Sequence, residues 1–147
     1  MKKIILLIWQ FPQMILGYIM SRLWKKRLIN LNDKEKEYLY GLEELTGFKI
    51  YISDYYSHKA DKILCFISGF SLGKYICLNA LHKLTTLKHE KGHSKQSEYL
   101  GLLYLIVIGL PSATGNLLAR VSKQVHENYY KLPWEAWADI LGGVKRA

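Results

Sequence analysis

Cysteine is scarce: the 147 residues hold only Cys65 and Cys77. Two cysteines exclude a disulfide scaffold, and their spacing excludes a C-x-x-C metal clip. Both fall in apolar runs, where the simplest reading is a pair of small buried hydrophobes and the alternative a bridge across a hairpin. Acid is scarce as well, with 12 Asp and Glu against 21 Lys and Arg, for a formal net charge of +9. That excess attracts the chain to anionic surfaces, either nucleic acid or phospholipid. Neither zinc-finger spacing nor an aromatic–basic strand motif occurs, so nucleic acid is not an expected partner. Internal repeats and low-complexity linkers are also missing. A chain of this length has room for one domain with a modest core.

Formal charge is missing altogether from two stretches. Residues 4–21, IILLIWQFPQMILGYIMS, are flanked by MKK and RLWKKR and are about long enough to cross a bilayer. Gln10, Pro12 and Gln13 interrupt them, which leaves a spanning helix and an interfacial helix both open. No A-x-A-like site follows, which argues against a cleaved signal peptide. Residues 1–30 are therefore expected to form a hydrophobic membrane-anchoring helix, and residues 31–147 the folded domain. The second uncharged stretch, residues 99–119, carries Gly109-Leu110-Pro111-Ser112 in its middle, a sequence expected to kink or reverse it.

Between these runs the pattern is that of an α+β domain. DKEKEYLYGLEELTG, residues 33–47, predicts an amphipathic helix ending at Gly47. In FKIYISDYY, Phe48, Ile50 and Ile52 alternate with Lys49, Tyr51 and Ser53, as in a half-buried strand. ILCFIS and KYICL predict two further strands joined through Gly69-Phe70-Ser71-Leu72-Gly73, in a short antiparallel sheet. Asn79 is a candidate N-cap for the helix that follows. Leu118, Val121, Val125 and Tyr129 recur at helical spacing. Pro133 fits the first turn of a last helix that Gly142-Gly143 would end.

The helix after Asn79 carries KHEKGHSKQS, residues 88–97, which contains H-E-x-x-H. Histidines four apart lie one turn from each other on one helix face, so His89 and His93 can share a zinc ion. Glu90 is rotated about 100° from His89, beside the metal rather than on it, where it can act as general base toward the attacking water. The competing reading is a solvated polar face of Lys88, Glu90, Lys91, Ser94 and Lys95. Gly92 inside the helix costs about 1 kcal/mol relative to Ala, which points to a close approach at that position. A third protein ligand is required. Outside the motif the histidines are His58, His82 and His126. His82 is nearly two turns from His89, so it reads as a surface or supporting residue, whereas His126 stays open as a ligand. Better placed is PWEAWAD, residues 133–139, where Glu135 and Asp139 share one helix face. One carboxylate can bind the ion while the other accepts a ligand imidazole's free N–H. Trp134, Trp137 and Leu141 would anchor that helix in the core.

H-E-x-x-H followed by a separate helix bearing E-x-x-x-D resembles the gluzincin metallopeptidases, the thermolysin-like group. The resemblance covers roughly the C-terminal half, with Trp134 where the usual motif has Asn before the Glu, and typical gluzincins are much larger. It implies a minimal zincin-like α+β domain and a catalytic zinc held by His89, His93 and Glu135. Asp139 would then support His89, and the substrate would be a peptide or protein. It also implies an edge strand just before the catalytic helix, a place KYICL would occupy. His126, Tyr129 and Tyr130 are candidates for the oxyanion donor, with aromatic core packing as the alternative. The fuller pattern, HEKGHSKQSEYLGLLYLIVIGLPS and then YYKLPWEAWAD, is similar to small bacterial membrane proteins. That implies a place at the bacterial inner membrane with the site facing the cytoplasm. A single crossing by residues 99–119 would put the histidines and Glu135 on opposite sides, so a reversal at Gly109–Ser112 is expected. The alternative function is a non-catalytic membrane protein with a structural metal site or none.

Overall fold

The structure, a computed structural model, describes residues 5, 8–23, 33–53, 69–79 and 84–146. It is mostly helical, with one three-stranded sheet. In chain order come α1 (Phe11–Leu23), α2 (Asp33–Thr46), β1 (Lys49–Ser53), β2 (Gly69–Leu72), β3 (Tyr75–Asn79) and α3 (Leu84–Leu100). After α3, a 3-10 turn (Gly101–Leu103) and a π-helical stretch (Leu105–Gly109) lead into α4 (Leu110–Val121). The short α5 (Lys123–Asn128), a second 3-10 turn (Tyr129–Lys131) and α6 (Pro133–Gly142) are the last elements among the described residues.

The strand order is β1-β3-β2, with β1 parallel to β3 and β2 antiparallel to it. The sheet is therefore mixed, not antiparallel as the sequence led us to expect. Gly69–Leu72, read from the sequence as a connector, is itself a strand. The turn falls instead at Gly73, which has a φ of 59°. KYICL lies in the centre of the sheet with both edges paired, so among the described strands the edge beside α3 belongs to β2. The strand expected over ILCFIS, Cys65, His58 and His82 all lie outside the described residues. Cys77 is buried in β3.

Phe48, Ile50 and Ile52 turn inward as their alternation predicts. They pack with Ile76, Leu78 and Leu87, against which Leu39 and Leu42 of α2 also lie. Helix α2 ends as expected at Gly47, whose φ is 70°. Asn79 closes β3; the stretch between it and Leu84, on which its role as a cap depends, lies outside the described residues.

No reversal occurs at Gly109–Ser112. Pro111 sits in the first turn of α4, after a π-helical turn in which the Leu110 N–H reaches back to the Leu105 carbonyl. That wider turn accommodates a ring that would break an ordinary helix. The breaks fall at Gly101, with a φ of 53°, and at Ser122, which is extended. Ser122 also splits the helical repeat from Leu118 to Tyr129 into two helices, accepting the Val125 N–H as the cap of α5. Among the described residues no helix is long and apolar enough to cross a membrane.

Candidate metal site

Helices α3 and α6 carry the site, and two glycines let them meet. A Cβ at Gly92 would collide with the Ala138 backbone, and one at Gly142 with the Lys88 backbone. This is the close approach that a glycine inside the H-E-x-x-H helix signalled. Pro133 starts α6, and Gly143 stops it in the left-handed conformation with a φ of 72°. The buried face of α6 is Glu135, Ala138 and Asp139, whereas Trp134, Trp137 and Leu141 are only half-buried. The tryptophans expected in the core thus flank the acids, and Trp137 stacks on Tyr99.

Of the polar residues that could have made a solvated face on α3, Glu90 and Ser94 are buried and Lys88, Lys91 and Lys95 half-buried. His89, Glu90, His93, Ser94, Gln96 and Ser97 are all buried. His89 Nε2, His93 Nε2 and Glu135 Oε2 converge: the two nitrogens are 3.1 Å apart, and they lie 3.0 and 3.3 Å from the carboxylate oxygen. These three residues form a group that can hold a metal ion.

The opposite ring nitrogens are committed elsewhere. His89 Nδ1 donates to Asp139 Oδ1 at 2.7 Å, and His93 Nδ1 to Gln96 Oε1 at 2.8 Å. The amide orientation of Gln96 follows from its other end, where Nε2 donates to the Trp134 carbonyl at 2.7 Å. A carbonyl only accepts, so the Gln96 oxygen must face His93 and the proton there must sit on Nδ1. With both protons so placed, two imidazole lone pairs and a carboxylate face one another in a buried space. Such a cluster requires a cation between them, either an added proton or a metal ion.

The titration directions agree with that demand. Burial works to raise the Glu135 pKa, but hydrogen bonding from His89 and His93 outweighs it and holds the carboxylate well below the ordinary range. Burial by itself would lower that of His89; Glu135, Glu90 and Asp139 together push it up. Glu90 is raised, chiefly by burial, with His93 and His89 offsetting part of the effect. It is not one of the three converging groups, and it lies against β2, where a Cβ at Gly69 would come 3.2 Å from its Oε1.

Tyr129 is buried, and its hydroxyl donates to Glu135 Oε1 at 3.0 Å. Ser112 of α4 flanks the same hydroxyl at 3.1 Å. Tyr129 therefore positions the Glu135 carboxylate. His126 lies exposed on α5 and is not among the converging groups. The ring of Tyr130 meets the His89 ring edge-to-face, and the Arg146 guanidinium covers it 3.3 Å from the ring centroid.

Three residues at the site went unread in the sequence. Gln96 was recoverable, because it lies three positions after His93 and so on the same helix face. Arg146, which grips both oxygens of Asp139 through Nε and Nη2, follows the Gly142-Gly143 turn, and no local spacing announces it. Ser112 reaches the site only through the tertiary fold. No family model, no curated protein and no solved structure matches the chain.

Proposed function

We propose that the chain is a zinc-dependent peptidase working at a membrane, with a minimal zincin-like domain. The observation that carries the reading is the convergence of His89, His93 and Glu135 while Asp139 and Gln96 hold the far imidazole protons. Two imidazole nitrogens and a carboxylate oxygen form a donor set that catalytic zinc takes, leaving a fourth position open. Ligand distances of about 2.0–2.1 Å put tetrahedral ligand atoms roughly 3.3 Å from each other, close to the spacings of the cluster. Zinc held there would supply Lewis acidity and lower the pKa of water at the open position.

The chain's own residues do the rest. Glu90, on the same turn of α3 as His89 but rotated away from the three ligands, takes the proton of the attacking water and returns it to the leaving amine. Its buried setting raises its proton affinity, which suits a group that must both accept and donate. Asp139, gripped by Arg146, fixes the His89 tautomer, and Tyr129 holds the far oxygen of Glu135 so that Oε2 faces the ion. Membrane association follows from the uncharged, base-flanked residues 4–21, with the bacterial inner membrane and a cytoplasmic-facing site as the proposed location. The alternative reading keeps the same cluster as a structural site without turnover.

The test is zinc content per chain after purification in mild detergent. Wild type should carry one equivalent, and His93→Ala and Glu135→Ala should each lose it, because three ligands act as one chelate. Full retention by Glu135→Ala would overturn the ligand assignment.

A further inference from the structure

Helix α1 is built inside out. Gln10, Gln13, Met14, Gly17 and Ser21 face the protein and are buried. Gln10 Nε2 donates to Ser97 Oγ at 2.9 Å, and Gln13 Nε2 reaches the same hydroxyl at 3.3 Å and also the Gly101 carbonyl. The outward face carries Phe11, Ile15, Leu16 and Ile19, continued ahead of the helix by Ile5 and Ile8, and all six are exposed. A helix facing water is arranged the other way, with polar residues outward and apolar residues inward.

The run from Gly101 to Val121 repeats the arrangement. Tyr104, Ile108 and Gly115 are buried, whereas Leu102, Leu103, Ile106, Leu110, Leu117 and Val121 are exposed, Ile106 by 69% and Val121 by 82%. The two segments touch where the Trp9 indole, itself exposed by 44%, lies on Gly101, at a place where a Cβ would collide with the ring. Scattered exposed aliphatics are ordinary on a protein surface, but a contiguous apolar surface marks an interaction site.

Charge identifies the occupant. Residues 1–32 contain Lys2, Lys3, Arg22, Lys25, Lys26 and Arg27 and no acid, so cations stand at both ends of the α1 apolar segment. Arg120 and Lys123 stand at the end of the second run, with no acid from residue 99 to residue 126. Aliphatic faces with cations at their ends complement an apolar layer bounded by anionic headgroups.

We propose that the outward faces of α1 and of residues 102–121 form one surface that seats the folded domain in an anionic lipid bilayer. It deepens the membrane placement proposed above and is independent of the zinc chemistry. Among the described residues no helix is long and apolar enough to cross a membrane; on this proposal the domain rests in the bilayer by a side. Ser112 ties the lipid-facing helix to Tyr129, and Tyr129 is bonded to Glu135. The metal cluster therefore lies close beneath this surface.

The test is flotation of the full-length chain with vesicles of phosphatidylglycerol and phosphatidylcholine, with zinc content read on the same samples. Wild type should float, and more weakly on phosphatidylcholine alone or in high salt, which screens the attraction. The double variant Ile106→Asp with Leu117→Asp, and separately Ile15→Asp, should lose binding by about tenfold or more, with zinc content and helical circular dichroism unchanged. If the aspartates disturb the fold, Ile106→Ser with Leu117→Ser should give the same loss in a folded protein. Undiminished flotation of the folded variants would overturn the proposal. So would variants that turn an oligomer into a monomer while vesicle binding stays intact, since the surface would then join copies of the chain. Loss of zinc with normal flotation would count against the peptidase reading alone.

Discussion

Gln96→Leu isolates the support of the second histidine. Gln96 is fully buried and makes two hydrogen bonds, accepting from His93 Nδ1 and donating to the Trp134 carbonyl. Leucine is of similar volume, so packing should largely survive, but the His93 Nδ1–H is left without a bond, whereas the Trp134 carbonyl still accepts within α6. An unsatisfied buried donor costs about 1–3 kcal/mol, so the metal-free fold should lose roughly that much. The imidazole also loses what holds its tautomer and ring plane. Removing such a support typically weakens metal binding by about 10–100-fold. The assay is zinc competition against a chromophoric chelator, paired with thermal unfolding of the metal-free and zinc-loaded forms. Gln96→Glu is the informative control: it keeps an acceptor for His93 and gives up only the bond to Trp134, so zinc affinity should stay near wild type. The reasoning is refuted if Gln96→Leu binds zinc like wild type, or if Gln96→Glu loses as much affinity as Gln96→Leu.

Three more outcomes follow from the same geometry. Tyr129→Phe keeps the buried ring and removes the hydroxyl from Glu135, so zinc affinity should fall about tenfold in the competition assay while the helical signal is unchanged. Gly92→Ala puts a methyl group into the Ala138 backbone; the helices must part, at a cost of about 1–3 kcal/mol in denaturant unfolding, with weaker zinc retention as a consequence. Protons compete with metal for the imidazole lone pairs, and neighbouring carboxylates raise the proton affinity of His89. Zinc should therefore begin to dissociate on acidification at a higher pH than an ordinary imidazole would set, and affinity that stays flat through that range would contradict the assignment.

The parts of the site that were legible in the sequence are those fixed by helical spacing. His89 with His93, and Glu135 with Asp139, are each four apart, and a helix turns such pairs onto one face whatever surrounds it. Even so, their convergence depends on Gly92 and Gly142, only the first of which drew notice as a local cost. Direction was the illegible quantity. Gln10 and Gln13 read as interruptions of an apolar segment, because hydropathy counts residues without saying which way they face; in the structure they are the inward face of α1. The parallel pairing of β1 with β3 is likewise a long-range choice that alternation along one strand does not encode. Pro111 misled for a physical reason: its cost depends on whether the preceding turn is α or π, and the hydropathy pattern does not encode that.

Hydrolysis of a peptide library by zinc-loaded wild type and by Glu90→Gln, side by side, tests the central claim most directly. Glutamine is nearly isosteric with glutamate, and Glu90 is not among the three converging ligands, so the variant should keep its zinc and its helical content. It cannot take a proton from the attacking water, and loss of a general base lowers turnover by about a factor of 10²–10⁴. Retained zinc with hydrolysis lost to that extent is the predicted result. Equal hydrolysis by the two proteins would contradict the account, and loss of zinc from Glu90→Gln would show that Glu90 is a ligand and not the base.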